Sequence, residues 1–192
     1  DVKDNHNSTA LIWATHQGKL DCAQLLVDAK ANPDVKDNHG HTALILSHLL
    51  GNIECAQLLV KAKADPDAKT NENSTALMWA AHQGKLDCAQ LLVDAKANPD
   101  VKDEHSSTAL MWAARSGKAN CAQLVLDMKA NVWTKDDDGN TALMLAVYNG
   151  NTDLVQSLVD ARADVLSTNR QGRNALMLAA EGGHSACVRL FL

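Results

Sequence analysis

The sequence predicts an all-α solenoid of stacked helix-loop-helix units. Three observations predict it: a 33-residue period running along the chain, apolar residues at helical spacing twice in each full period, and one glycine at a fixed place in every period. Composition agrees. Of 192 residues 46% are hydrophobic but only 3% aromatic, with one Phe and one Tyr. The apolar mass is therefore Ala and Leu, which suits close-packed helices better than a β-sandwich core.

The period is the first element to justify. Asp1–Pro33 and Asp67–Pro99 differ at five of 33 positions, and the registers starting at Asp34, Asp100, Trp133 and Leu166 follow the same template. The units are 1–33, 34–66, 67–99, 100–132, 133–165 and a shorter 166–192, expected to form a single domain over 1–192. Within a unit, Thr9, Thr42, Thr75, Thr108 or Thr141 precedes an apolar run, where a hydroxyl caps free helix N–H groups; Asn174 takes that place in the sixth. A first helix of about nine residues is expected to end at Gly18, Gly51, Gly84, Gly117, Gly150 or Gly183, because the residue past a helix end favours glycine. A second helix follows, as in LDCAQLLVDA, with a broad apolar face. Neither helix buries that face alone, so the units must stack.

The columns D-x-x-G-x-T (Asp136 to Thr141), T-A-L-M (Thr75 to Met78), A-A-x-x-G (Ala113 to Gly117) and the leucines of helix two closely resemble the ankyrin repeat family, over the whole chain. The resemblance implies antiparallel helix pairs with hairpin loops projecting from them. It also implies a concave recognition face lined by helix one and the hairpin tips. Three departures stand out. Ala (Ala10 to Ala175) replaces the family's usual Pro of TPLH, and Ile or Met replaces its His. Lys30, Lys63, Lys96, Lys129 and Arg162 stand where Gly is usual after helix two. Either these side chains accept a left-handed backbone or the helix ends differently.

Residues suggestive of chemistry have plainer readings. Cys22, Cys55, Cys88, Cys121 and Cys187 occupy one column, with Leu154 in the missing place. Stacked helices sit about 8–10 Å apart and a disulfide needs Cα atoms within about 7 Å, so column-mates neither bridge nor share a zinc. They read as small buried hydrophobes, and five free thiols suit a reducing compartment, cytoplasmic or nuclear. Trp13, Trp79 and Trp112 alternate with leucines in a helix-one column and read as packing between units. His39, His41 and His48 fall within ten residues but match no zinc spacing, and His48 replaces Ala or Thr in a semi-buried column. No metal site is assigned. Nucleophile, redox, zincin and phosphate-loop motifs are absent, so neither an enzyme nor a cofactor site is expected.

The formal charge of −5 and the lack of a basic stripe argue against nucleic acid. No apolar run approaches the roughly 20 residues that span a bilayer. The resemblance places the candidate surface at the hairpin tips and helix-one ends. It comprises His6; His39, His41, Leu49 and Leu50; Glu72 and His82; His105 and Arg115; Asp137, Asp138 and Tyr148; and Arg170 and Arg173. Leu49 and Leu50 replace the His-Gln of units one and three, offering apolar surface. Tyr148 near Asp137 and Asp138 suits a partner with a basic and hydrophobic segment. Trp133 replaces an aspartate at a hairpin base, and is read either as a binding anchor or as packing against Leu166.

The expected function is a monomeric, non-catalytic scaffold that binds another protein. Two alternatives stand beside it: a recruiting arm of a larger enzyme such as a kinase or ubiquitin ligase, and an engineered repeat protein. The start at Asp1 in mid-pattern and the open apolar end at Leu190-Phe191-Leu192 suggest a fragment of a longer natural array.

Overall fold

The computed structural model describes the whole chain, Asp1–Leu192. Its twelve helices are α1 (Ala10–His16), α2 (Leu20–Asp28), α3 (Ala43–Leu50), α4 (Ile53–Lys61), α5 (Ala76–Gln83), α6 (Leu86–Asp94), α7 (Ala109–Arg115), α8 (Ala119–Asp127), α9 (Ala142–Tyr148), α10 (Thr152–Asp160), α11 (Ala175–Glu181) and α12 (Ser185–Phe191). There are no strands, only an isolated bridge between Lys3 and Thr9. The fold is an all-α repeat solenoid. Its helices cluster into two compact units, one of Asp1–Ala80 with Lys85–Asn98 and the other of Ala81–Gly84 with Pro99–Leu192.

Both units are built by one rule. Odd-numbered helices stack on odd ones and even on even, as in α1 on α3 and α2 on α4, or α7 on α9 and α8 on α10. The leucine column is the packed seam: Leu11, Leu44, Leu77, Leu110 and Leu143 are all buried, and the methionines Met78, Met111 and Met144 lie beside them. In the sixth repeat Leu176 is only half-buried and Met177 is exposed, because α11 packs on a neighbouring odd helix on one side alone. Cys22 departs from its column for a similar reason. It is exposed on α2, whereas Cys55, Cys88, Cys121 and Cys187 are buried. Burial pushes the Cys55 and Cys88 thiols up.

The first helices run seven or eight residues, shorter than the nine expected. The hydroxyls of Thr9, Thr42, Thr75 and Thr141 and the amide oxygen of Asn174 accept the N–H three residues on. Thr108 has the cap backbone but makes no such bond. After each of the first five second helices, the basic residue accepts the left-handed backbone: φ is +61° to +67° at Lys30, Lys63, Lys96, Lys129 and Arg162. The twist is repaid in hydrogen bonds, for instance Lys30 N–H to the Val27 carbonyl at 2.9 Å and Ala31 N–H to that of Leu26 at 3.0 Å.

Side chains at the start of the second helices reach back to the preceding repeat. Asn52 Nδ2 donates to the Thr15 carbonyl at 2.7 Å, Lys85 Nζ to that of Leu49 at 2.9 Å and Asn151 Nδ2 to that of Gly117 at 3.3 Å. Of these carbonyls that of Leu49 has no backbone donor, while those of Thr15 and Gly117 also accept the Gly18 and Ala119 N–H groups. The hairpin tips are linked too. In the first unit Asn38 N–H donates to the His6 carbonyl and Asn71 N–H to that of His39, both at 3.0 Å. In the second, Asp137 N–H donates to the His105 carbonyl at 3.0 Å and Arg170 N–H to that of Asp138 at 2.9 Å. Gly40 sits where the tips touch: at φ +78°, a Cβ there would lie 2.5 Å from the Asn71 amide nitrogen.

His48 on α3 is fully buried. Its Nδ1 lies 2.9 Å from the Leu44 carbonyl, and no hydrogen bond of ordinary geometry reaches its Nε2. Burial holds its pKa below the usual imidazole value, the Leu44 and Cys88 backbone acting the other way. The unfolded chain therefore binds this proton more readily than the folded one. Stability is complete above the unfolded pKa of about 6.5 and falls as pH drops below it, by at most about 1.4 kcal/mol per pH unit from this group. Urea unfolding midpoints across that range should fall with acidification. His48→Ala, which installs the residue found at Ala81 and Ala114, should flatten the dependence. An unchanged slope would assign it to other groups.

Candidate functional site

The hairpins are organised by a column that sequence reading treated only as part of a motif. Asp4, Asp37, Asp103 and Asp136 each turn one carboxylate oxygen onto two backbone N–H groups of the loop. Asp136 Oδ1 takes those of Asp138 at 3.1 Å and Asn140 at 2.7 Å. Asn169 does the same in the sixth hairpin. In the third, Thr70 Oγ1 accepts the Ser74 N–H. The second oxygen is then free to hold a neighbour: Trp13 Nε1 on Asp4 at 2.8 Å, His41 Nδ1 on Asp37 at 3.2 Å, Trp112 Nε1 on Asp103 at 2.8 Å and Arg115 Nη2 on Asp136 at 3.3 Å.

This bonding corrects the reading of Trp13 and Trp112 as apolar core, while packing between repeats holds for Trp112, whose ring meets that of His82 edge-on at 5.5 Å. Trp13 is 47% exposed and Trp79 and Trp112 are half-buried. An indole resting on a polar loop keeps its N–H bonded while its ring covers the helix, an arrangement the aliphatic leucines of that column do not need. The bond from Trp13, then the Ser8 N–H, holds the Asp4 carboxyl below the usual range.

In the second unit the tips and helix-one ends enclose a groove of about 610 Å³. Six of the expected residues line it: His105, Arg115, Asp137, Asp138, Tyr148 and Arg173. Leu145 and Leu178 supply its apolar floor, and the buried Asp136 lies beneath Arg115. Both groove arginines are neutralised within the chain, Arg115 by Asp136 and Arg173 by Glu181. Asp137 accepts only the Ser106 hydroxyl, at 2.7 Å, and the Asp138 carboxylate pairs with no cation. Tyr148 is 76% exposed at the edge. Asn149, beside it, fixes the end of α7 by donating to the Ala114 and Arg115 carbonyls at 3.0 and 2.8 Å.

The first unit has two smaller grooves. His6, His39 and His41 meet with Trp13 and His16 around about 280 Å³, and His39, His41, Leu49 and Glu72 with Trp79 around about 440 Å³. His39 and His41 are adjacent, with ring centroids 5.7 Å apart. His48, in the core, is not with them. Four expected residues line none of these grooves. Leu50 is 45% exposed at the end of α3. His82 is hydrogen-bonded to Ser116 and sits edge-on to Trp112. Arg170 is at the sixth tip, and Trp133 is at a hairpin base, its Nε1 donating to the Arg162 carbonyl at 3.0 Å.

No helix is long and apolar enough to cross a membrane. The family model described as ankyrin repeats (3 copies) matches residues 1–70, 51–136 and 131–192. No curated protein matches the chain.

Proposed function

Since those matches together cover every residue, the chain belongs to the ankyrin repeat family, and we propose that it is a non-catalytic scaffold whose second-unit groove holds a basic, partly hydrophobic segment of another protein. Ankyrin repeats are generally protein-protein interaction modules. One observation carries the finer reading. The cations of the groove are already paired with Asp136 and Glu181, while Asp137 and Asp138 have no cation of their own and stand beside the exposed ring of Tyr148. A lysine or arginine from a partner completes the acids, and an apolar neighbour covers Tyr148 and the leucine floor.

The test is selection of a random displayed peptide library on the chain. Enriched peptides should combine positive charge with bulky apolar residues. Asp137→Lys with Asp138→Lys should weaken them about tenfold or more, and Tyr148→Ala by a similar factor, each change corresponding to roughly 1.4 kcal/mol or more. Peptides that lack positive charge, or that bind both variants unchanged, would refute this assignment of the groove.

A further inference from the structure

The first position of the repeat makes the same bond four times. Asp1, Asp34, Asp67 and Asp100 each accept, on a carboxylate oxygen, the amide N–H found 31 residues on: Asn32, Asp65, Asn98 and Asn131, at 2.8–3.0 Å. The fifth repeat breaks the series. Trp133 stands in this place, Leu166 follows it in the sixth, and the Asp164 amide, counterpart of those four, receives no carboxylate. The Trp133 indole N–H turns to the Arg162 carbonyl, and the residue is 60% exposed; Leu166 is 76% exposed. The Asp164 carboxylate is folded back onto the Leu166 N–H at 3.0 Å. Arg162 is exposed and makes no ion pair.

A lone exposed apolar residue on a protein surface needs no explanation. Here two succeed each other in a column that is otherwise aspartate, and the change also removes an acceptor that the fold supplies in the four preceding repeats. What remains on this edge of the second unit is an aromatic-aliphatic step, an unpaired guanidinium and an open backbone donor. None of these lines the groove.

We propose that this edge is a second docking surface, which takes an acidic protein segment carrying a bulky apolar side chain. The apolar side chain covers Trp133 and Leu166. A carboxylate of the partner replaces the missing aspartate at the Asp164 amide and pairs with Arg162. Its occupant is opposite in charge to that of the groove, so the two surfaces select different segments and are independent.

Amide and indole NMR shifts of the full chain test this. The probe is a hexapeptide with Phe-Leu at its centre and two acidic residues on each side; the control has lysines in place of the acids. The acidic peptide should shift the Trp133 indole and Asp164 amide signals saturably, and the lysine peptide should not. Trp133→Asp restores the residue that four other repeats carry, so it should fold normally and weaken the acidic peptide about tenfold or more. Leu166→Ser should weaken it several-fold, while Asp137→Lys with Asp138→Lys leaves it unchanged. Equal shifts from both peptides, no shift, undiminished binding by Trp133→Asp, or response only to anionic phospholipid vesicles would overturn the proposal.

Discussion

Leu143→Ala should lower the stability of the fold by about 3–5 kcal/mol, read as a shift of the urea transition followed by circular dichroism. Leu143 is wholly buried on α9, which packs on α7, α10 and α11. Truncation removes transfer energy and leaves a cavity bordered by three helices with little room to close it. The matching change in the last repeat, Leu176→Ala, should cost only about 1 kcal/mol, because Leu176 is half-buried with an odd-numbered helix on one side alone. Equal costs for the two would mean that the leucine column is not the seam on which the repeats are packed.

Asp136→Ala is expected to destabilise by about 2–4 kcal/mol. The Asp136 side chain is 3% exposed. Its loss strands the N–H groups of Asp138 and Asn140 and frees Arg115, so the groove gains an unpaired cation at the point where the proposed partner brings its own. Peptide binding in the groove should therefore fall together with stability. Asp136→Asn keeps the acceptor for both N–H groups, as Asn169 does in the sixth hairpin, and should cost less than about 1 kcal/mol. Chemical denaturation separates the two variants; if Asn were as damaging as Ala, charge rather than the acceptor would be what the loop requires.

The period made the stacking legible, because 33-residue spacing fixes which helix lies on which before any coordinate is known. The capping threonines, the helix-ending glycines and the leucine seam were read the same way, with Thr108 the one cap that makes no bond. What a column does not disclose is how much surrounds each of its members. Cys22 and Cys55 are the same letter at the same place, but one is exposed and the other buried. The left-handed lysines stayed undecided since a cation at a helix end has two acceptable backbones, and only the paired carbonyl contacts choose between them. Tryptophans alternating with leucine look apolar in sequence, while the indole N–H ties Trp13 to Asp4 and Trp112 to Asp103. The loop aspartate is the element least legible in the sequence. A polar residue in a polar loop reads as solvated, yet Asp103 and Asp136 are buried and hold their hairpins in shape. For the groove, the tip and helix-end columns brought together His105, Arg115, Asp137, Asp138, Tyr148 and Arg173. Leu50 lies in the other unit, Trp133 at a hairpin base and His82 against Trp112, while Arg170 shares the column of Asp137 but stays outside the groove, since a shared column sets where the backbone lies and not where each side chain points.

The bonds between neighbouring tips bear on how tightly anything is gripped. Fingers that wave separately must each surrender their freedom at the moment of capture, and that loss is subtracted from the grip. Here Asp137 is already clasped to His105, and Arg170 to Asp138, before a guest arrives. The hand is set in advance, so the loss from ordering the loops at those knuckles is smaller at the moment of capture.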